Sequence, residues 1–195
     1  MATWTAIVDS AAHLFDRVGL TETSTNHIAA RAGVSIGSLY QYFPNKAAIL
    51  TAFAERHIDE AGCVLSRRIA EARAGGFDLR DTLRAVLSAA VALHDQHPRL
   101  HAAMFQDAPR SPETSARLWR VEGVLIDALA AEFERLGVGQ SAPRLSAQLF
   151  VHGVQGQIHS TILATPRGQR SEVVERLLGM WILAIEGPRF SPATF

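Results

Sequence analysis

Between Ser24 and Pro44 the chain carries two helical runs too short to stand alone, Thr25 to Ala32 and Ile36 to Tyr42, joined through Gly33. Two such helices must cross steeply and seal onto a third element. Ala29 supplies the small residue a close crossing needs. Four positions later, Gly33 can take the positive φ of the turn without a steric penalty. Ile28, Ala32, Val34 and Leu39 fall at spacings that face inward, and Ser35 is placed to cap the second helix. That helix then offers Ile36, Gly37, Ser38, Tyr40, Gln41 and Tyr42 outward. A face of small and hydrogen-bonding groups suits a major groove about 12 Å wide, where Ser and Gln can bond base edges.

Helical periodicity dominates the rest, with no convincing strand alternation. Trp4, Ile7, Val8, Ala11, Leu14, Phe15 and Val18 form one apolar stripe ended by Gly19, which predicts a first helix over about 5–18. Pro44 stops the short helices, and Asn45 can cap a long helix reaching about Arg73, before the Gly75-Gly76 break. Further helices are expected at roughly 78–95, 99–107, 113–136, 142–164 and 171–186. The fold class is therefore all-α with about nine helices. A three-helix helix-turn-helix domain is expected over 1–46, followed by a larger helical domain over 47–195.

Charge neither announces nor excludes nucleic acid, because 19 Lys and Arg balance 19 Asp and Glu. The lone Cys63 cannot form an intramolecular disulfide, and there is no basic leader or apolar run of about 20 residues. A soluble, cytoplasmic protein with no membrane partner is expected. Lys46 is the only lysine, and it sits in the first turn of a helix, where the macrodipole disfavours a cation. A bound phosphate would reverse that sign; a solvated surface lysine is the plainer alternative.

Ile7 to Phe53 resembles the DNA-binding domain of TetR/AcrR-family regulators. The words that carry the likeness are Ala11-Ala12-His13-Leu14-Phe15, Gly19-Leu20, Ile28 to Ser35, Gly37 to Lys46 and Ala48-Ile49-Leu50. The run Tyr40-Gln41-Tyr42-Phe43-Pro44-Asn45-Lys46 is far more specific than a generic helix-turn-helix. The resemblance implies phosphate contacts from Thr25, Tyr40, Tyr42 and Lys46, and groove contacts from Ser35, Ile36, Gly37, Ser38 and Gln41. Leu39 and Phe43 read as core. Relatives often have a basic arm before the first helix and a cation at position 36. Here the first cation is Arg17, position 36 is Ile, and whether an arm precedes this chain is not legible. Over residues 1–50, Arg17, Arg31 and Lys46 only cancel Asp9, Asp16 and Glu22, so weak non-specific binding and a shallow salt slope are expected.

The resemblance also implies a homodimer on a palindromic double-stranded DNA operator, formed by the last two long helices, and a ligand pocket. Leu149, Gly153, Gly156 and Ser160 form a ridge of mostly small groups, and Val174, Leu177, Leu178, Trp181 and Ile185 an apolar stripe. These can build a seam between copies or close an intramolecular core. A polar stripe of His152, Gln155 and His159 can face a pocket lined by Met104, Phe105, Trp119, Leu125 and Phe133, suited to a small hydrophobic or aromatic effector. Trp119 can equally be core, or cover the long helix from outside.

His152 and His159 lack an accompanying carboxylate or thiolate, and Pro98 breaks the register of His94, His97 and His101, so neither a metal nor a cofactor is expected. No GxSxG, HExxH or Gly-rich phosphate loop is present, which argues against an enzyme. The function expected is a ligand-released transcriptional repressor. An activator of the same fold, or a ligand-binding dimer that has lost DNA binding, are the alternatives.

Overall fold

The computed structural model describes residues 2–187 apart from 96, 98, 102–103, 105–110, 140–141 and 163. Among these residues there is no strand. The helices are α1 (Ala2–Val18), α2 (Thr25–Ala32), α3 (Ile36–Tyr42), α4 (Lys46–Ala74), α5 (Leu79–Asp95), α6 (Pro112–Leu136), α7 (Pro143–Gln157) and α8 (Arg170–Glu186). Arg99, Leu100, His101 and Met104 are also helical, within the span expected to be a helix over 99–107. The all-α class stands. None of the described helices is long and apolar enough to cross a membrane.

Local chemistry explains most of the boundaries. Ser24 Oγ accepts the His27 amide at 3.2 Å and starts α2. Asn45 Oδ1 accepts the Ala48 amide at 2.9 Å and starts α4, while Asp78 Oδ1 accepts the Asp81 amide at 2.8 Å and starts α5. Ser111 Oγ takes the Thr114 amide at 3.1 Å ahead of Pro112, the first residue of α6. α6 ends where the Val138 amide reaches back to the Phe133 carbonyl at 2.9 Å, as a Schellman turn requires.

Two helices differ from the expected bounds. α1 begins at Ala2 rather than near Thr5. The single helix expected over 142–164 is α only to Gln157 and continues as a π segment, Ile158–Ile162. Here hydroxyls compete for the helical carbonyls: Ser160 Oγ donates to Gly156 O at 2.7 Å and Thr165 Oγ1 to Thr161 O at 2.8 Å. Such back-bonding loosens the i→i−4 ladder.

The chain forms two compact units, one of 1–60 with 94–119 and the other of 61–93 with 120–195. An expected boundary after residue 46 cuts differently, because the first half of α4 belongs to the first core. That core gathers Ile7, Val8, Ala11 and Phe15 of α1, Ile28 and Ala29 of α2, and Leu39 of α3. Phe43, then Ile49, Leu50 and Phe53 of α4, and Leu100 complete it. The second core joins Leu83, Val86 and Leu87 of α5 to Leu125, Leu129 and Phe133 of α6, Phe150 and Val154 of α7, and Leu178 and Ile185 of α8. A buried side chain of this size is worth about 1.5–3 kcal/mol, so each unit is held chiefly by its apolar filling.

Candidate nucleic-acid interface

The turn between α2 and α3 rests on one backbone conformation. Gly33 has φ 67° and ψ 29°, and its amide donates to Ala30 O at 3.3 Å while that of Val34 donates to Ala29 O at 3.0 Å. This closes α2 and aims the chain back toward α1. Ser35 then caps α3, its Oγ accepting the Ser38 amide at 3.0 Å and lying 2.9 Å from Ser38 Oγ.

α3 turns Leu39 fully inward, and Phe43 is buried just beyond its end. Around Leu39, Ser35, Ile36, Gly37, Tyr40, Gln41 and Tyr42 are exposed and Ser38 is half-buried. Ile36, Tyr40 and Tyr42 are large, partly apolar side chains left in solvent, at 38%, 51% and 47% exposure. Gly37 has only Ser35 Oγ near the place a Cβ would occupy, so this face admits close approach. Thr25 Oγ1 and Tyr40 Oη are 3.1 Å apart, uniting the first residue of α2 with the outer face of α3. The structure thus brings Thr25 and the α3 residues of the sequence reading onto one hydroxyl- and amide-rich surface.

Lys46 plays a local part that its sequence position did not reveal. Its ammonium donates to the carbonyl oxygens of Leu20, Thr21 (3.3 Å) and Thr23 (2.9 Å). An ammonium has three protons, and three carbonyls in the loop before α2 take them. Thr23 adds a bond from its Oγ1 to Gly19 O at 2.7 Å. In the structure the ammonium thus ties this loop, and the groups that offset the unfavourable dipole there are carbonyl oxygens of the protein itself.

The expected ligand-binding residues fall in both units. Leu125 and Phe133 are buried in the second core, whereas Met104 packs against the first. Trp119 is 69% exposed, a surface position in the single chain. Phe105 lies outside the described residues. His152 is exposed, with Nε2 3.7 Å from Glu122 Oε2, while Gln155 and His159 are half-buried. Burial pushes the Glu122 carboxyl up, and the His152 charge opposes that in part. In the second unit Gln157 Oε1 accepts Trp181 Nε1–H at 2.9 Å.

The residues of the expected dimer stripe lie in or against the second unit's own core. Leu178 and Ile185 are buried in the unit's own core, and Val174, Leu177 and Trp181 pack against it. Gly153 is small for an intramolecular reason: a Cβ there would overlap the Trp181 indole, which also meets Phe150 edge-on at 5.4 Å. Leu149 is 57% exposed, and Gly156 and Ser160 are exposed too. The large apolar groups that α7 and α8 leave in solvent are Leu145, Leu149, Met180 and Leu183. A stripe read from one helix cannot say which of two adjoining faces meets the core.

The sequence reading also missed His57. Its ring centroid lies 4.2 Å from that of His101 and 5.3 Å from that of His94, which in turn is 4.8 Å from His101. The available signal was its place one turn after Phe53, on the buried side of α4. His97, grouped with His94 and His101 by sequence, has Nδ1 4.0 Å from Asp16 Oδ2 instead.

Residues 7–53 match the family described as bacterial regulatory proteins, tetR family, and residues 78–181 the tetracyclin repressor-like C-terminal domain. The chain is 29% identical over 136 residues to the HTH-type transcriptional repressor KstR2 of Rhodococcus jostii (strain RHA1), a match spanning 69% of this chain and 61% of that protein. Its fold is similar to that of the fatty acid degradation regulator FadR from Bacillus halodurans, with a TM-score of 0.70, 18% identity and 96% of each chain covered. FadR from Bacillus subtilis, solved in complex with stearoyl-CoA, gives a TM-score of 0.67 at 18% identity, over 92% of this chain and 97% of that one.

Proposed function

This chain belongs to the TetR family of bacterial regulatory proteins, and from that premise we propose that it is a homodimeric, cytoplasmic repressor released from a palindromic operator by a small hydrophobic effector. The observation that carries the reading is the split character of α3. Leu39 is fully buried while Ser35, Ile36, Gly37, Tyr40 and Gln41 stay in solvent, so the helix is fixed by one face and free to enter a groove with the other. Thr25, Tyr40 and Tyr42 would meet phosphates at the margin of that face, and Ser38 and Gln41 would meet base edges. Lys46 orders the loop beneath them.

The second unit would supply dimer and effector site. Leu145, Leu149, Met180 and Leu183 are the apolar groups a second copy would cover, with Gly156 and Ser160 allowing close helix approach. Two copies would then present two recognition helices to half-sites about one helical turn apart. A hydrophobic effector is supported by the stearoyl-CoA held by the Bacillus subtilis relative. To release DNA, the effector must bind the DNA-incompetent arrangement better than the competent one.

Fluorescence anisotropy with DNA from upstream of the protein's own coding sequence tests the reading. Saturable binding at low salt, abolished by Gln41→Ala with Ser38→Ala, is expected. A folded dimer that leaves such DNA unbound would overturn it.

A further inference from the structure

We propose that His57, His94 and His101 form a binding site for a divalent transition-metal ion that prefers imidazole nitrogen, with Zn²⁺ as the representative cation. The three residues come from separate parts of the first unit: the middle of α4, the last turn of α5 and the helical stretch through Arg99 and Leu100. One ring nitrogen from each lies within 4.8 Å of the other two. His101 is buried and the other two are half-buried, so an ion held there is partly shielded yet reachable from solvent.

The donor set selects the ion. Three imidazoles, the donors that come together here among the described residues, suit Zn²⁺, Co²⁺, Ni²⁺ or Cu²⁺ and are a poor match for Mg²⁺ or Ca²⁺, which require oxygen. Tetrahedral coordination at about 2.0–2.1 Å places ligand nitrogens about 3.3 Å apart. The nitrogens, within 4.8 Å of one another, therefore have to draw in toward that spacing when an ion binds. A three-histidine set leaves the fourth position to water or to an anionic or basic group of a small molecule.

The surroundings favour this use over a loose surface cluster. Phe53 stacks parallel to His57 at 6.3 Å and meets His101 at 6.3 Å, giving the site an apolar floor that belongs to the first core. Such a floor excludes water on one side and limits ring rotation. The segment bearing His101 is anchored as well: Asp16 Oδ1 accepts the Arg99 amide at 3.0 Å and the Leu100 amide at 3.4 Å. The Arg99 guanidinium donates to Arg17 O at 3.2 Å, so the backbone near His101 is fixed before any ion arrives.

Chelator-stripped full-length protein is titrated with Zn²⁺ alone by calorimetry and with Co²⁺ alone by absorption. One ion per chain is expected, with the intense visible bands of tetrahedral Co²⁺ and their loss on adding Zn²⁺. His57→Gln and His94→Gln, both at half-buried positions, each weaken binding at least tenfold while metal-free thermal melts stay close to the parent's. His13→Gln leaves the affinity unchanged. An absence of binding at tens of micromolar metal, or full affinity retained in both His57→Gln and His94→Gln, would overturn the site. The site does not depend on DNA binding, and the titration contains no DNA.

Discussion

The hydroxyls of Thr25 and Tyr40 stand 3.1 Å apart, so the first turn of α2 and the exposed side of α3 share a hydrogen bond at the surface. Tyr40 is 51% exposed, and this bond adds a polar constraint to whatever packing its ring has. The pair therefore holds the Tyr40 ring in one place at the edge of the recognition face. Tyr40→Phe should keep the melting temperature nearly unchanged, because a surface hydrogen bond is worth only about 1 kcal/mol. Operator affinity should fall about fivefold for a lost contact of that size, as anisotropy would show. An unchanged affinity would remove Tyr40 from the interface.

Gly33 governs the angle of the two short helices. Open space surrounds the position of a Cβ, so Gly33→Ala carries a backbone penalty and no clash. At a φ of 67° that penalty is about 1–2 kcal/mol. Gly33→Asn, more tolerant of this region, should lose less. Urea midpoints of the two variants decide the order; equal losses would mean that the turn relaxes.

Lys46 separates two mechanisms cleanly. If its ammonium serves the carbonyls of Leu20, Thr21 and Thr23, Lys46→Met should cost about 2 kcal/mol of stability and leave the salt dependence of DNA binding as it was. Were it a phosphate ligand, the slope of log affinity against log salt would shrink by about 1. Titrations at several salt concentrations, set beside denaturation curves, distinguish these outcomes. The parent slope itself should be shallow, given the balanced charge of residues 1–50.

Glu122 gives a pH dependence of definite sign. Its folded carboxyl binds a proton more tightly than in the unfolded chain, because burial penalises the charge. Between the ordinary glutamate value and the raised one, the native state holds more protons, so stability falls as pH rises through that window. Glu122→Gln should therefore be the more stable protein near neutral pH. The two curves should converge as pH drops below the ordinary glutamate range, where both side chains are neutral. Denaturation midpoints across that range give the test, and a gap independent of pH would rule the carboxyl out as its source.

Two leucines of α8 make opposite predictions. Leu178 is fully buried, so Leu178→Ala should cost about 2–5 kcal/mol. Leu183 is 71% exposed, so Leu183→Glu should barely affect the folding of a single chain but should shift sedimentation from dimer to monomer. A persistent dimer in a Leu149→Glu, Leu183→Glu variant would place the seam elsewhere.

What could be read from the linear chain was whatever neighbours in sequence determine. Gly33 had to bear the left-handed turn, Ser35 and Asn45 had to cap, and Leu39 and Phe43 had to face away from Tyr40 and Gln41, because helix geometry ties residues three and four apart. Packing between distant segments decided the rest. Lys46 could not be seen to reach carbonyls more than twenty residues upstream, nor His57 to join His94 and His101, nor Trp181 to fill the space left by Gly153. Period alone says that a helix has an apolar face; which neighbour covers it depends on contacts the sequence does not order.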